Sequence, residues 1–370
     1  MKQILVVGPI SHHHICNFVR QLKACKPDYT LFGLDIMGNK QVDTPFDKAV
    51  FVENNSYSNL FSRLHSFIKL LAAFNSFFKS YKIDLVQFQY VNKSTFPLCL
   101  LAKFHNAKVN CFVWGSDYLR ANASLRRSLK KAFVLADSVV ADSDHLVSSL
   151  RLNYPRQKGK ISRISFGSVI VDKIYDSHQE KRFFHDALGL DSSYDSIIMC
   201  GYNASPAQNH HIIIDAIKKQ KGNNLWLFPM TYGDKDGYLE AIKKELSTLS
   251  CDYIILDSFV EDDKWVYYIK TTDIFIHIQE SDSFSSTLAE QLISGNIIIN
   301  GKWLEYNELI EKGIYYLTTS KDDLANVLRD AISQKTELLQ KCKDNILPIY
   351  REKSLRATIE SNWIPLFESL

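Results

Sequence analysis

Apolar residues recur along the chain in short continuous runs, and each run is followed by a stretch with helical periodicity. Continuous apolar runs are typical of strands that are buried on both faces. The strands predicted in the first half are residues 4–7, 30–34, 49–52, 85–90, 109–114, 138–141 and 161–166. Those predicted in the second half are residues 197–200, 225–229, 253–256, 274–278, 297–300 and 315–318. This alternation predicts an α/β fold with two parallel, doubly wound, Rossmann-like sheets.

The pattern becomes charged and irregular between about residues 166 and 193, which we interpret as a connection between domains. We therefore expect an N-terminal Rossmann-like domain over residues 1–175 and a second one over residues 176–349. Residues 350–370 are helical in pattern, and we expect them to cross back onto the first domain. Two such domains predict a central cleft that the carboxyl ends of the strands face.

Two predicted helices of the first half carry unusual surfaces. The helix over residues 60–81 has a wide apolar stripe, which fits a core helix but, with basic residues at its flanks, also fits a membrane interface. A second helix, over residues 119–136, carries four basic residues stacked in pairs one turn apart: Arg126, Arg127, Lys130 and Lys131. This basic ridge is either a solvated face or a contact for phosphates and lipid headgroups.

Charge is divided unevenly along the chain. The net charge is only +3, but residues 1–175 contain 24 Lys and Arg against 11 Asp and Glu, and the remainder contains 20 against 30. The basic half suits an anionic membrane surface or a phosphorylated acceptor, and it lacks a recognisable nucleic-acid motif. We therefore expect no nucleic-acid partner.

The sequence also indicates a cellular compartment. No apolar run approaches the roughly 18 residues of a membrane-spanning helix, and the first apolar run, which Gly8 and Pro9 stop, predicts a strand rather than a signal peptide. Seven scattered cysteines predict reduced thiols instead of disulfides or zinc ligands. We expect a cytoplasmic protein that could bind at the inner face of the plasma membrane.

Polar side chains follow two predicted strands of the first half. His12, His13 and His14 come after the first strand; neighbours in sequence do not easily face one metal ion, so the alternative is one histidine that lines the cleft. The run Trp114–Asp117 follows the fifth strand. Asp117 could act as a base or bind a sugar hydroxyl, and it could equally cap a helix.

Two loops of the second half have residues suited to a nucleotide. The loop at residues 201–210 contains amides, small residues and a histidine, and it opens a helix where a phosphate could bind. The loop at residues 229–233 could reach a base or a ribose. The candidate ligands are Asn203, His210, Thr231 and Tyr232. Ordinary turn chemistry explains the same residue types.

Residues 274–300 predict a strand, a polar turn, a helix and a second strand. Asp282 lies where the first strand ends, the position at which open α/β sheets bind ligands, and Glu290 lies about two turns into the helix. The amides of Phe284, Ser285 and Ser286 would open that helix and offer donors to an anion or a sugar hydroxyl. This stretch therefore predicts a pocket for a donor sugar.

These motifs resemble the GT-B glycosyltransferases, in particular family 4, whose signature is Glu-x7-Glu with a Gly-Phe-Gly turn. Asp282 takes the first acidic position, Glu290 takes the second and Phe284 matches the Phe, whereas Ser283 and Ser285 replace the glycines. Runs of the first half, at residues 114–117, 136–144 and 165–167, resemble segments of the same family.

The resemblance implies roles for several residues. Glu290 would bind the ribose hydroxyls of a nucleotide-sugar donor. Asp282 and the turn of Ser283, Phe284, Ser285 and Ser286 would hold the sugar and the departing phosphate. Asp117 or one of His12, His13 and His14 would orient or deprotonate the acceptor, and we select His14 as the candidate histidine.

One departure from the family concerns the diphosphate. The family normally places an Arg and a Lys in the loop after the first strand of the second domain, and here that loop, residues 201–210, contains neither. The charge would then be met by amides, by His210 or by a cation from elsewhere such as Lys302.

The second half, at residues 201–210, 229–233 and 301–306, is also similar to bacterial transferases that add 4-acetamido-4,6-dideoxygalactose to a lipid-II-linked acceptor. Those enzymes invert the anomeric configuration and family 4 retains it, so the stereochemistry stays open.

The resemblances imply a hexosyltransferase that uses a nucleotide sugar and a lipid-linked or surface-glycan acceptor in bacterial polysaccharide biosynthesis, such as capsule or O-antigen assembly. No Asp-x-Asp run falls at a candidate site, so we expect no cofactor and no obligatory metal. The alternatives are a sugar-nucleotide 2-epimerase and a non-catalytic GT-B-like partner of a transferase.

Overall fold

The computed structural model describes residues 2–36, 43–52, 60–119, 121–282 and 284–370, without the side chains of residues 60–63 and 116. The chain divides into two compact units. The first contains Met1–Gly167 and Leu355–Leu370, and the second contains Ser168–Ser354.

The first unit is built on a parallel sheet. In the described part of the chain it has seven strands in the order β3-β2-β1-β4-β5-β6-β7. The strands are β1 (Gln3–Gly8), β2 (Thr30–Asp35), β3 (Lys48–Phe51), β4 (Leu85–Gln89), β5 (Lys108–Val113), β6 (Ser138–Ala141) and β7 (Ile161–Arg163). Each overlaps a run that the apolar pattern predicts. Most of their residues are buried, which is why the sequence shows continuous apolar runs instead of alternation.

Helices cover the faces of this sheet. They are α1 (His13–Cys25), α2 (Leu60–Ser80), α3 (Thr95–Phe104), α4 (Ser116–Leu119), α5 (Ala123–Leu135) and α6 (Asp144–Asn153). In α2, Leu70, Phe74 and Phe77 are buried in the core, whereas Leu64 and Ile68 are 55% and 54% exposed. The apolar stripe of α2 therefore serves the core only in its carboxyl-terminal part.

The chain returns to the first unit at its end, as predicted. The segment consists of α17 (Leu355–Thr358), a π-helical turn (Ile359–Trp363) and α18 (Ile364–Ser369). Helices α7 to α16 belong to the second unit and are described below. The Trp363 indole is buried, and its Nε1 donates to the Ser165 carbonyl at 3.2 Å. Its ring meets Phe18 and Phe112 edge to face, so an aromatic cluster fixes the returning segment.

The second unit repeats the plan. Its described strands form a six-stranded parallel sheet in the order β10-β9-β8-β11-β12-β13. They are β8 (Ser196–Cys200), β9 (Asn224–Pro229), β10 (Asp252–Leu256), β11 (Ile274–His277), β12 (Ile297–Gly301) and β13 (Leu317–Thr319). The prediction of two parallel, doubly wound α/β sheets is confirmed.

The helices of the second unit surround this sheet. They are α7 (Val169–Asp176), α8 (Lys181–Leu188), α9 (His210–Ile217), α10 (Tyr238–Leu246), α11 (Asp262–Thr271), α12 (Ser286–Ile293), α13 (Asn307–Glu311), α14 (Leu324–Ser333), α15 (Lys335–Cys342) and α16 (Ile346–Lys353). The segment that we interpreted as an irregular connection thus contains α7 and α8. Val171 and Ile174 of α7 pack into the core of the second unit, so the first unit ends at Gly167 rather than at residue 175.

Two further sequence predictions concern the whole chain. All seven cysteines are free thiols. Among the described residues, no helix combines the length and the apolar character that crossing a membrane requires.

Candidate functional site

The three adjacent histidines lie at the start of α1, at the carboxyl end of β1. His12 caps the helix, because its Nδ1 accepts a hydrogen bond from the His14 amide at 3.3 Å. One ring nitrogen from each of His12, His13 and His14 lies within 4.8 Å of the other two. Loss of solvation, followed by repulsion from the neighbouring histidines, lowers the pKa of His14 to about 4 and also lowers the pKa of His12. Both rings are therefore neutral at physiological pH.

Trp114, which follows β5, brings a second candidate loop to the histidines. Its ring centroid lies 5.4 Å from that of His12 and 6.2 Å from that of His14. Its indole Nε1 donates to Gln89 Oε1 at 3.1 Å, and its ring also contacts Phe166, at 5.7 Å. The structure thus joins two stretches that lie 100 residues apart in the sequence into one histidine and tryptophan patch at the carboxyl edge of the first sheet.

The side chain of Asp117 is buried and accepts hydrogen bonds from backbone amides. Its Oδ2 accepts hydrogen bonds from the amides of Val91 at 2.9 Å and Trp114 at 3.2 Å, and its Oδ1 accepts one from Gly115 at 2.9 Å. Burial raises the pKa of Asp117, although these amides oppose the shift. Gly115 has φ +104°, a conformation that favours glycine. These contacts fix the loops after β4 and β5 and fit the capping alternative, and the role of Asp117 as a base stays a prediction.

The basic ridge of α5 is exposed. All four of its side chains face solvent: Arg126, Arg127, Lys130 and Lys131. Arg126 also lies over the ring of Tyr118, and its Nε donates to the carbonyl of Ala121 at 3.1 Å. The ridge is therefore partly held in place and open to an anionic ligand.

In the second unit, Glu290 lies in α12 and is 5% exposed. Its Oε2 accepts a hydrogen bond from Trp265 Nε1 at 2.8 Å. Among the described residues, no donor contacts its other oxygen. Burial raises the pKa of Glu290 to about 7, because the Trp265 bond only partly offsets the lost solvation. The second oxygen of Glu290 can therefore accept a hydrogen bond from a ligand.

Asp282 lies at the carboxyl end of β11 and turns inward. Its Oδ2 accepts hydrogen bonds from the Tyr306 hydroxyl at 2.7 Å and from the Ser285 amide at 2.8 Å, and it lies 3.5 Å from His277 Nε2. Burial acts to raise the pKa of Asp282, but these three contacts outweigh it and lower the pKa. With 8% of its side chain exposed, Asp282 anchors the turn, and its direct contact with a sugar stays a prediction.

The turn before α12 supplies amides at a positive helix end. Ser285 is the N-cap, with its Oγ accepting a hydrogen bond from Leu288 N at 3.3 Å. The Ser285 amide is bound to Asp282, but no acceptor among the described residues contacts the amides of Ser286 and Thr287. Ser283, also a predicted ligand, lies outside the described residues.

The loops after β8 and β9 are tied to each other. Asn203 Oδ1 accepts a hydrogen bond from the Ser205 amide at 2.9 Å, and the Ala204 amide donates to the Tyr232 carbonyl at 2.7 Å. The Tyr232 side chain is exposed and lies beside Asn203, and Thr231 is partly exposed. Asn203, Thr231 and Tyr232 therefore share one part of the carboxyl edge of the second sheet.

His210 departs from the expected role in diphosphate binding. It is fully buried, and its Nδ1 contacts the Tyr238 hydroxyl at 3.2 Å. Burial lowers the pKa of His210 to about 4, so the ring is neutral at physiological pH. His210 packs in the core below the loop because the following helix, α9, begins there with its apolar face inward.

Sequence reasoning missed the residues that support this edge. Trp265 of α11, Tyr306 before α13 and His277 of β11 orient the two acidic side chains. Tyr306 closes the run of residues 301–306 that a family resemblance had singled out, so a signal existed. No local pattern marks Trp265, because its contact with Glu290 joins residues 25 positions apart in the chain.

No protein-family model matches the chain, and no curated protein sequence matches it. Solved structures do. A glycosyltransferase from Rickettsia africae has a TM-score of 0.73 at 18% identity, and the match covers 99% of this chain and 98% of that one. Anabaena HepE in complex with UDP has a TM-score of 0.68 at 14% identity over the full length of both chains.

A third similar structure is a UDP-GlcNAc 2-epimerase from Neisseria meningitidis bound to UDP-GlcNAc, with a TM-score of 0.66 at 15% identity and full coverage of both chains. At such identities the similarity shows the fold. The chain has the GT-B fold, as the motifs indicated.

The contacts of Asp117 generate a test of its role. Replacing Asp117 with Ala leaves three amides, two of them in buried hydrogen bonds, without their acceptor, so we expect the free energy of unfolding to fall by on the order of 3 kcal/mol, measured by urea denaturation. The exposed Asp28 offers a control, since Asp28→Ala should change stability by less than about 0.5 kcal/mol. An Asp117→Ala protein with unchanged stability that has lost only turnover would support the role as a base instead.

Proposed function

We propose that this protein is a glycosyltransferase that moves a hexosyl group from a nucleotide-sugar donor to a lipid-linked or surface-glycan acceptor in bacterial polysaccharide biosynthesis. The observation that carries the proposal is Glu290, a buried carboxylate with one oxygen on Trp265 and a pKa of about 7. It lies in α12, whose first amides, those of Ser286 and Thr287, have no acceptor among the described residues. The similar structures support a uridine nucleotide as the donor carrier, because HepE is in complex with UDP.

Glu290 would bind the ribose of the donor. A ribose offers two neighbouring hydroxyl donors, and the Glu290 oxygen that Trp265 does not occupy is an acceptor. A hydrogen bond from a hydroxyl favours the charged carboxylate, so ligand binding would lower the pKa of Glu290 again. The exposed Tyr232 and the neighbouring Thr231 and Asn203 would contact the remainder of the nucleotide.

The amino terminus of α12 would stabilise the leaving group. Negative charge develops on the diphosphate as the bond to the anomeric carbon breaks. The amides of Ser286 and Thr287 and the positive end of the helix dipole would receive this charge. Stabilisation of this kind uses protein groups alone, and that no metal is obligatory stays a prediction.

The first unit would handle the acceptor. His14 is neutral, so a ring nitrogen can accept the proton or hydrogen bond of an acceptor hydroxyl. Trp114 beside it offers an apolar face on which a sugar ring can pack. The basic ridge of Arg126, Arg127, Lys130 and Lys131 would contact the phosphates of a lipid-linked acceptor or anionic headgroups at the inner face of the plasma membrane. The exposed Leu64 and Ile68 of the same unit add apolar surface.

A 2-epimerase is the second candidate, because one of the similar structures is a UDP-GlcNAc 2-epimerase. Such chemistry needs acid and base groups near the sugar, and residues 1–175 contain only 11 Asp and Glu. Asp117, a candidate carboxylate of the first half, is bound to three amides. This arrangement favours the transferase. Release of an epimer without any acceptor would favour the alternative.

The raised pKa of Glu290 predicts a pH dependence of donor binding. Above pH 7 the carboxylate is charged and binds ribose, whereas below pH 7 a ligand must first displace a proton. We expect the affinity for UDP-glucose, measured by calorimetry, to rise about tenfold from pH 6 to pH 8. UDP-glucose suits this test because its phosphates lack the ionisation near pH 6 of a terminal phosphate.

Two variants make this prediction specific. Glu290→Gln should bind UDP-glucose at least about tenfold more weakly at pH 8 and lose the pH dependence. Glu305→Gln, which changes an exposed glutamate near the end of β12, should behave as the wild type does. Equal binding by Glu290→Gln and wild type would contradict the assignment of the pocket, and a wild type that binds no nucleotide sugar would favour a non-catalytic partner.

The basic ridge predicts binding to anionic membranes. Changing Arg126, Arg127, Lys130 and Lys131 together to Ser should weaken flotation with phosphatidylserine vesicles at least about tenfold, since each cation contributes about 1 kcal/mol at such a surface. The control removes the same number of charges from exposed lysines of the second unit: Lys219, Lys221, Lys235 and Lys244. Equal flotation of the ridge variant and the wild type would exclude the ridge as the contact.

A further inference from the structure

The second unit needs positive charge for a diphosphate, and its loops supply little. The segment of residues 201–210, which follows β8, contains no Lys and no Arg. His210, the last residue of this loop, is buried and neutral. Helix amides contribute only partial charges. A full positive charge close to the start of α12 is therefore the missing element of the proposed donor site.

Lys353, the last residue of α16, lies at that position. Its Nζ is 4.2 Å from the centroid of the Phe284 ring. Phe284 directly precedes Ser285, the N-cap of α12. The two helices run in opposite directions, since Ile346 at the start of α16 lies beside Gly295 just after α12. The end of α16 is thereby held next to the start of α12.

The turn at Phe284 is strained in a way that suits a binding site. Phe284 has φ +74°, a conformation that bulky residues rarely adopt. Its ring meets Tyr306 edge to face at 5.5 Å and also contacts the Lys353 ammonium. Asp282, bound to the Tyr306 hydroxyl, holds the same turn. Strain of this kind persists where the surroundings fix it, and it is concentrated at functional sites.

Backbone and side-chain contacts position Lys353. Its carbonyl accepts a hydrogen bond from the Ser168 amide at 2.8 Å, and the next amide, of Ser354, donates to the Tyr350 carbonyl at 2.9 Å. The side chain is 13% exposed, and Nζ lies 3.5 Å from a carboxylate oxygen of Glu352. An ammonium has three N–H donors, and a phosphate contact would add to its ion pair with Glu352 and its other contacts.

Building on the proposed function, we propose that Lys353 binds the diphosphate of the nucleotide-sugar donor at the amino terminus of α12. The cation comes from the carboxyl-terminal helix of the second unit instead of from the loop after β8. Lys353 would act together with the amides of Ser286 and Thr287, so that a full charge and two oriented donors meet the same phosphate oxygens. Lys302, the cation that the sequence suggested, is an exposed residue after β12.

The test compares UDP with uridine, because the two ligands differ only in the diphosphate. Calorimetry at pH 8 would measure both ligands with wild type, Lys353→Gln, Lys353→Arg and Lys302→Gln. We expect Lys353→Gln to weaken UDP binding at least about tenfold and to leave uridine binding unchanged. Lys353→Arg should recover much of the UDP affinity, and Lys302→Gln should match the wild type.

The outcomes separate this proposal from the one it depends on. A wild type that binds neither ligand would overturn the proposed function itself. If the wild type binds UDP and Lys353→Gln binds it equally well, only the assignment of Lys353 fails. Equal weakening of UDP and uridine by Lys353→Gln would show a structural role, and loss of UDP binding in Lys302→Gln alone would place the charge at Lys302. Both results would overturn the proposal.

Discussion

The second unit depends on a buried carboxylate, that of Asp282, which holds the turn between β11 and α12. Three groups bind or face its Oδ2: the Tyr306 hydroxyl, the Ser285 amide and the His277 ring. These contacts fix the position at which α12 begins and the direction in which its first amides point. They also keep Asp282 charged in a buried place, as its lowered pKa shows. Without this anchor the strained backbone at Phe284 would have little to hold it.

The same contacts explain how a site with two carboxylates could accept an anionic ligand. The charge of Asp282 is used by protein donors, and Glu290 is close to half protonated at neutral pH. The carboxylates therefore repel a diphosphate less than their number suggests. The helix dipole of α12 and the ammonium of Lys353 add attraction at the same end. In the proposed site, charge balance comes from the arrangement of these groups and not from a basic loop.

The sequence predicted the strands and the fold well, because burial on both faces of a parallel sheet produces continuous apolar runs that a single chain displays. It also singled out Glu290 and the turn before α12. It could not tell that Asp117 and Asp282 bind backbone amides, since a cap, an anchor and a base use the same residue type. The burial of His210 and the positions of Trp265 and Lys353 depend on contacts between segments far apart in the chain. The irregular pattern of residues 166–193 concealed α7 and α8, two short helices that carry several charged residues each.

A crystal structure of the protein with UDP-glucose would show whether Glu290 and the amino terminus of α12 bind the nucleotide sugar. We expect the ribose hydroxyls within about 3 Å of a Glu290 oxygen and the diphosphate oxygens at the same distance from the amides of Ser286 and Thr287. Trp265 should keep its bond to Glu290 in that complex. A nucleotide bound elsewhere, or one whose diphosphate points away from the amino terminus of α12, would show that this end of the helix is not the donor site.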